Sequence, residues 1–533
     1  MNKRILFRID NSENSGLGHI SRSHGIGEQL EFMGYEVFYA LDNSWPSEFA
    51  AIEPLAKRQV VLDSLHGQSE YEFLYSFMTR NEIPIMVLDS YKASSEWFDF
   101  FHRAQIRIFC LDDSNNHNDP RIYKIPYGIR YFGDRELPNL DVGAEALRNV
   151  VITAQGDSSI KLPKSTTTER IFVYLGSNPQ ENEVKSVVSG VLRGLKNSEL
   201  NIEIILIKSR FVSQDFLCDL FSEAQLPPRV KFLLLDFCDG LLPVISSCDL
   251  VIGAANTIIY QTSACRIPQI TFSLNPTQQN EDFQLEQIGH YFNLGYLDAF
   301  DDELFPKFLA LTLSRLHILQ TLLSDVNNRP GYAGAKNAAI YIHSSLIKSN
   351  ELSSNRHHRE YSEERLSSSA VFAVRETKAS DVNLILEGRN MESTRKYMIE
   401  TKEISKPSHY AWWFTNHREN FIGLTGDAPS IYIWHEVREI RGEKFLIGGW
   451  TPVCKNLHIS TILEALNWQL GTTSVKYPGL KWLAAVHKDN SVTQFLVNRI
   501  GFKRANPESL LFDAALEMFF AGAPTDEYLL YSS

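Results

Sequence analysis

The stretch Ile5-Leu6-Phe7-Arg8-Ile9-Asp10, with Ser15-Gly16-Leu17-Gly18-His19-Ile20-Ser21-Arg22-Ser23-His24 close behind it, decides how the first part of this chain folds. An apolar run closed by an aspartate reads as a buried strand. Gly16 and Gly18 let the backbone turn sharply and come close to a ligand. A helix then opens and runs through Ile26, Leu30 and Phe32. Strand, glycine turn and helix in that order begin a parallel α/β sheet. A histidine at the helix start stands in the positive end of the helix dipole, which favours the neutral, base-competent imidazole. Arg22 lies one turn further on the same face and is expected to meet an anionic substrate. Asp10 ends the strand that delivers His19, so it is expected to orient the imidazole or bind a substrate hydroxyl.

The same rhythm continues outward. Strand-like runs at 35–41, 83–89 and 106–111 alternate with helical stretches such as 94–104. A polar segment around 156–169 precedes a second series at 170–175, 202–207, 230–235, 250–253 and 269–274. This predicts two tandem doubly wound, Rossmann-like domains, 1–155 and 165–348, with a ligand cleft at the carboxyl ends of their strands. The Ser-, Arg- and Glu-rich segment 349–370 reads as a solvated linker. Behind it, strands at 371–374, 431–437, 443–450 and 480–486 mix with helices at 381–389 and 459–470. That order predicts a smaller α+β domain over 371–505, with 506–533 as a carboxyl-terminal tail.

Composition narrows the function. A net charge of −12 disfavours nucleic acid and anionic membranes as partners, and leaves room for a local basic pocket. No run reaches the ~20 apolar residues that span a bilayer. The opening Met1-Asn2-Lys3-Arg4 and its short strand are too brief for a signal peptide. The six cysteines have no metal-ligand spacing and read as buried thiols of a reducing cytoplasm; no metal is expected.

In the second half, Leu175-Gly176-Ser177-Asn178 follows a strand and precedes a helix, so its N–H groups suit phosphate oxygens. In the first half, Asp89-Ser90-Tyr91 and Leu111-Asp112-Asp113-Ser114 end strands and point towards the expected cleft.

Arg8-x-Asp10 with Gly16-x-Gly18-His19-x-x-Arg22 resembles the amino-terminal signature of the UDP-sugar hydrolases of pseudaminic acid biosynthesis. Those enzymes release a 2,4-diacetamido-2,4,6-trideoxy-L-altrose from UDP on a two-domain GT-B-like fold, and the resemblance covers roughly residues 3–325. It implies that His19, Asp10 and Tyr91 serve catalysis. Arg8, Gly16, Gly18, Arg22, Asp113, Gly176, Ser177, Asn178, Gln261 and Gln278 would then bind substrate. Gln261 stands where the superfamily places a ribose-binding glutamate, and Ser90 where the family has a histidine.

Val374-Arg375-Glu376, Glu387-Gly388-Arg389-Asn390, Thr394-Arg395-Lys396-Tyr397-Met398 and Asn490-x-x-Thr493 before Ile500-Gly501-Phe502 resemble GNAT-family N-acetyltransferases. This implies acetyl-CoA as cosubstrate, contacted by Lys455, His458, Ser460 and Asn490. Two positions depart from that family: His458 and Ser460 replace the pyrophosphate-loop glycines, and Val497 replaces a tyrosine used as general acid.

The expected activity is therefore hydrolysis of a UDP-linked diacetamido-trideoxy sugar without a cofactor, coupled to N-acetylation of its 4-amino precursor. Two other readings use the same residues: a glycosyltransferase with a UDP-sugar donor, and a non-catalytic sugar-nucleotide-binding protein.

Overall fold

A computed structural model describes residues 3–10, 18–43, 58–62, 65, 67–90, 92–112, 121–126, 168–176, 179–207, 214–223, 226–235, 241–256, 258–274, 285–297, 303–324, 334–351, 372–523 and 526–533. The chain divides into two compact units, Met1–Arg359 and Glu360–Ser533.

The first unit holds two parallel sheets. The first contains β1 (Arg4–Ile9), β2 (Glu36–Leu41), β3 (Gln59–Val61), β4 (Ile85–Asp89), β5 (Arg107–Asp112) and β6 (Tyr123–Pro126), in the order β3-β2-β1-β4-β5-β6. The second contains β7 (Glu169–Tyr174), β8 (Ile202–Ile207), β9 (Val230–Leu235), β10 (Leu250–Ala254), β11 (Gln269–Ser273) and β12 (Phe292–Tyr296), in the order β12-β11-β10-β7-β8-β9. Both are the doubly wound order in which the sheet grows outward in two directions from its first strand. The reversal leaves a crevice at the carboxyl ends, between β1 and β4 in one sheet and between β7 and β10 in the other.

The residue period of two along β1 settles which side chains face which helices. Ile5, Phe7 and Ile9 join one core cluster with Ile20, Ile26 and Leu30 of the helix Gly18–Phe32. Leu6 joins the other, with Leu74 and Met78 of the helix Gln68–Arg80 and Trp97 and Phe101 of the helix Ser95–Arg103. Arg8, two residues on from Leu6, faces that second side.

Two domain boundaries differ from those expected. The helix Gly334–Glu351 extends into the expected linker, and it belongs to the first sheet: Ala338, Ala339, Tyr341, Ile342 and Leu346 share the cluster of Ile5, Phe7 and Leu30. The Tyr35 hydroxyl meets His343 Nδ1 at 2.9 Å. The chain thus returns to close the face that its own first helix leaves partly open.

The second unit is one mixed seven-stranded sheet with helices, the α+β domain expected. Its strands are β13 (Phe372–Glu376), β14 (Glu419–Thr425), β15 (Ala428–Ile440), β16 (Glu443–Pro452), β17 (Lys481–His487), β18 (Lys503–Arg504) and β19 (Tyr528–Ser532), in the order β13-β14-β15-β16-β17-β19-β18. The segment 506–533 is therefore no tail. It forms the helix Leu510–Phe520 and then β19, which pairs with β17 on one side and β18 on the other. The continuous apolar and aromatic run Tyr528-Leu529-Leu530-Tyr531 suits that slot between strands, and Leu530 and Tyr531 are buried.

Among the described residues no helix is long and apolar enough to cross a membrane. Five cysteines there are free thiols; Cys110 and Cys248 are buried as expected, whereas Cys265 and Cys454 are half-buried and Cys218 is exposed.

Candidate functional site

The crevice of the first sheet gathers charge. Gly18 and His19 open the helix Gly18–Phe32, and His19, Arg22 and Ser23 share one face of it because they stand at i, i+3 and i+4. That face meets Asp89, the last residue of β4 and 1% exposed. His19 Nδ1 lies 2.7 Å from Asp89 Oδ1. Arg22 Nε donates to Oδ2 at 2.7 Å, its Nη2 also donates to Oδ1, and the Ser23 hydroxyl donates to Oδ2 at 2.9 Å.

Burial alone would push the Asp89 carboxyl up. The charges and hydrogen bonds of Arg22 and His19 outweigh it and hold the group well below the usual carboxylate range. An ionised carboxylate can only accept, so in its contact with Asp89 the His19 Nδ1 is the donor. Arg22 Nη2 stands 2.9 Å from the same Nδ1.

Three of the expected site residues are placed as follows. The carboxylate against the His19 ring is that of Asp89. Asp10 instead takes Arg8 Nη1 at 3.3 Å and lies 4.0 Å from Lys92 Nζ, while its backbone N–H donates to the Asp89 carbonyl at 3.1 Å. Arg22, expected to meet an anionic ligand, is 6% exposed and spends its guanidinium on Asp89. Arg8, expected in the substrate site, is 1% exposed because the strand alternation turns it to the opposite face.

There Arg8 Nε donates to Glu70 at 2.6 Å, Nη2 to Asp42 at 2.7 Å and Nη1 to the Ile9 carbonyl at 2.8 Å. Burial would lower its guanidinium, but the Glu70 bond and the charges of Glu70, Asp42 and Asp10 raise it. Lys92 Nζ joins Asp42 at 2.8 Å. Arg8 thus ties the ends of β1 and β2 to the first turn of the Gln68–Arg80 helix.

Sequence reasoning overlooked the roles of Asp89 and Ser23. The signal was present: in a sheet whose first and fourth strands are neighbours, the residue closing the fourth strand faces the helix that follows the first.

At the crevice of the second sheet, Gly176 follows β7 with φ +109°, a conformation that favours glycine. A Cβ there would stand 3.2 Å from Asn256 Nδ2, just beyond β10. Asn256 Oδ1 accepts from the N–H of Ile258, at the start of the helix Ile258–Cys265. Gln261 sits in that helix, half-buried. Gly16, Tyr91, Asp113, Ser177, Asn178 and Gln278 lie outside the described residues.

In the second unit, exposed Lys455 lies on the connection from β16 to the helix Ile459–Lys476, exposed His458 is at its N-cap position, and exposed Ser460 stands in its first turn. Asn490 acts locally, since its Oδ1 accepts from Thr493 N at 3.0 Å and caps the helix Ser491–Arg499. Val497 is buried with Trp482 and Phe502. Among the described residues, β16 and β17 are the only parallel neighbours of this sheet. Their pairing covers Phe445 with Lys481 and Leu446 with Trp482 and then stops.

No protein-family model matches the chain, and no curated protein matches it. Among solved structures it is similar to MurG of Acinetobacter baumannii, at 12% identity over 64% of this chain and 99% of that one, with a TM-score of 0.46. It is also similar to S. aureus MnaA solved with UDP, at 10% identity over 65% and 97% of the two chains and a TM-score of 0.42. A third is Anabaena HepE in complex with UDP and glucose, at 13% identity over 66% and 99% and a TM-score of 0.39.

Proposed function

We propose that the first unit hydrolyses a UDP-linked 2,4-diacetamido-2,4,6-trideoxy-L-altrose. The observation that carries this reading is the His19–Asp89 pair at the crevice between β1 and β4. Asp89 holds the Nδ1 proton and turns Nε2 into the basic nitrogen, as a base requires. Nε2 takes a proton from water as the water oxygen bonds to the anomeric carbon. The bond from that carbon to the UDP oxygen breaks, and its electron pair leaves with UDP. Attack from the face opposite UDP inverts the anomeric centre.

Gly176 and the start of the helix Ile258–Cys265 support a diphosphate site at the second crevice, with Gln261 beside the ribose. The choice of sugar rests on the resemblance of the Arg8 to Arg22 signature.

The test is to incubate the protein with this UDP-sugar alone and follow both products by NMR. Free sugar and UDP are expected, and His19→Ala should slow their release by roughly 10²–10⁴-fold with UDP binding retained. Release of UDP only after a sugar acceptor is added would make the protein a transferase. UDP binding with no turnover would make it a binding protein.

For the second unit we infer N-acetylation of the 4-amino precursor from acetyl-CoA. The early parting of β16 and β17 supports this, because it leaves an open strand edge suited to an extended, amide-bearing arm. Exposed Lys455 and His458 lie near the start of the following helix, where a pyrophosphate would be favoured. Acetyl transfer to the UDP-linked 4-amino sugar that survives His19→Ala is the expected outcome.

A further inference from the structure

The segment 387–404 of the second unit contains more donors than the chain satisfies. Arg389 lies in the last turn of the helix Val382–Asn390, and Thr394 and Arg395 lie in the short helix Glu392–Arg395. Arg389 Nη1, Thr394 Oγ1 and Arg395 Nε are shielded from solvent and make no hydrogen bond. Sealing a polar atom away from water without a partner is costly, and here three such atoms stand within seven residues of chain.

The bonds that these side chains do make leave their charge standing. Arg389 Nη2 donates to the Glu400 carbonyl and Arg395 Nη1 to the Thr401 carbonyl at 3.3 Å. The carboxylate of Glu403 lies 3.9 Å from Arg395 Nη2 and is itself largely exposed. Burial is the main influence lowering the Arg389 guanidinium; the charge of Glu400 opposes it, and the like charge of Arg395 adds to it.

The frame around them is firm. Asn390 bonds Ile404 through both ends of its amide, at 2.9 Å and 3.0 Å, which pins the loop to the helix end. A Cβ on Gly388 would strike the Pro452 carbonyl at 2.2 Å, so the helix lies directly on the end of β16. The Tyr397 ring lies 5.8 Å from that of His487, the last residue of β17. The segment that carries the two arginines thus touches the carboxyl ends of both strands that part, through Gly388 and Tyr397.

We propose that Arg389, Thr394 and Arg395 form a recognition site for the phosphate or diphosphate group of a nucleotide at the mouth of that opening. Two planar guanidinium forks and a hydroxyl match the several oxygens and double charge of a phosphate better than the two oxygens of a carboxylate. Arg395 is about one-third exposed, which gives the anion its way in. The inference stands on these residues alone and not on the hydrolase reading of the first unit.

Hydrogen–deuterium exchange on the full chain tests it, with inorganic pyrophosphate, UDP and CoA as separate probes. Pyrophosphate is expected to protect the amides of 386–404 in the wild type and in His19→Ala. Arg395→Gln and Arg389→Gln should each weaken that protection by about tenfold in concentration, and Thr394→Val by less. Unchanged tryptophan fluorescence and melting temperature in Arg395→Gln would show that the fold survives. Protection by UDP and not CoA assigns the site to a sugar nucleotide, and the reverse assigns it to the coenzyme. No protection of 386–404 by any of the three probes, or protection undiminished in both arginine variants, overturns the proposal.

Discussion

Asp89 receives an imidazole, a guanidinium and a hydroxyl on one buried carboxylate, so its replacement should affect both chemistry and folding. Asp89→Asn removes the charge that neutralises Arg22 and is expected to cost about 3–5 kcal/mol of stability, read by denaturant unfolding. His19→Ala leaves that ion pair whole and should cost far less, although under the proposed hydrolysis both variants should lose turnover. The sign with pH follows from the depressed carboxyl: the contribution of Asp89 is complete above its unfolded value of about 3.9 and is lost as pH falls below it. His409 acts in a higher window. It is 3% exposed, donates from Nε2 to the Val382 carbonyl at 2.8 Å, and burial pulls it down to about 4. The unfolded chain binds that proton near pH 6.5, so the second unit should lose up to about 3 kcal/mol between pH 6.5 and pH 4. Fluorescence of Trp412 and Trp413, whose rings lie 5.2 Å and 6.4 Å from His409, reports it, and His409→Gln should flatten the curve. At this scale the sequence singled out His19 through its place behind Gly16 and Gly18. It hid Asp89, because a partner 70 positions away becomes visible only once β1 and β4 are neighbours. For Arg8, motif position said nothing of the strand period of two that turns its side chain to Glu70 and Asp42.

Elements were legible wherever apolar periodicity was long. The strands 202–207 and 230–235 match expectation to the residue, and those around β1, β4 and β10 to within two. β14 escaped despite its seven residues and two neighbours; β3 has three residues and β18 two, and each of these is made by its neighbours more than by its own sequence. β19 escaped for the same reason, since five residues far from their partners carry little local signal. Ending the chain at residue 505 would strip β17 and β18 of their common partner, and the second unit is expected to lose its cooperative melting transition. The helix Gly334–Glu351 makes the matching case for the first sheet. Ile342 is fully buried against that sheet, so Ile342→Ala should destabilise the first unit by about 2–5 kcal/mol in urea unfolding.

For the molecule as a whole, the division after Arg359 predicts that cleavage within 352–371 releases two pieces that each keep their circular dichroism and melting behaviour. A fragment ending at 330 should instead expose the apolar face that Ala338, Tyr341 and Ile342 cover, and aggregate on gel filtration. The tandem architecture was readable from the alternation of strand and helix. The return of the last helix to the first sheet was not, since nothing local in 334–351 says which of two similar faces it will cover. That return also sets a clock on biosynthesis. The Tyr35–His343 contact joins residues 308 positions apart, and at ribosomal speeds of ~5–20 residues per second the first sheet waits roughly 15–60 s for its cover. For that interval the nascent chain displays a bare apolar surface, so the earliest-made part of this protein should be among the last to become protease-resistant.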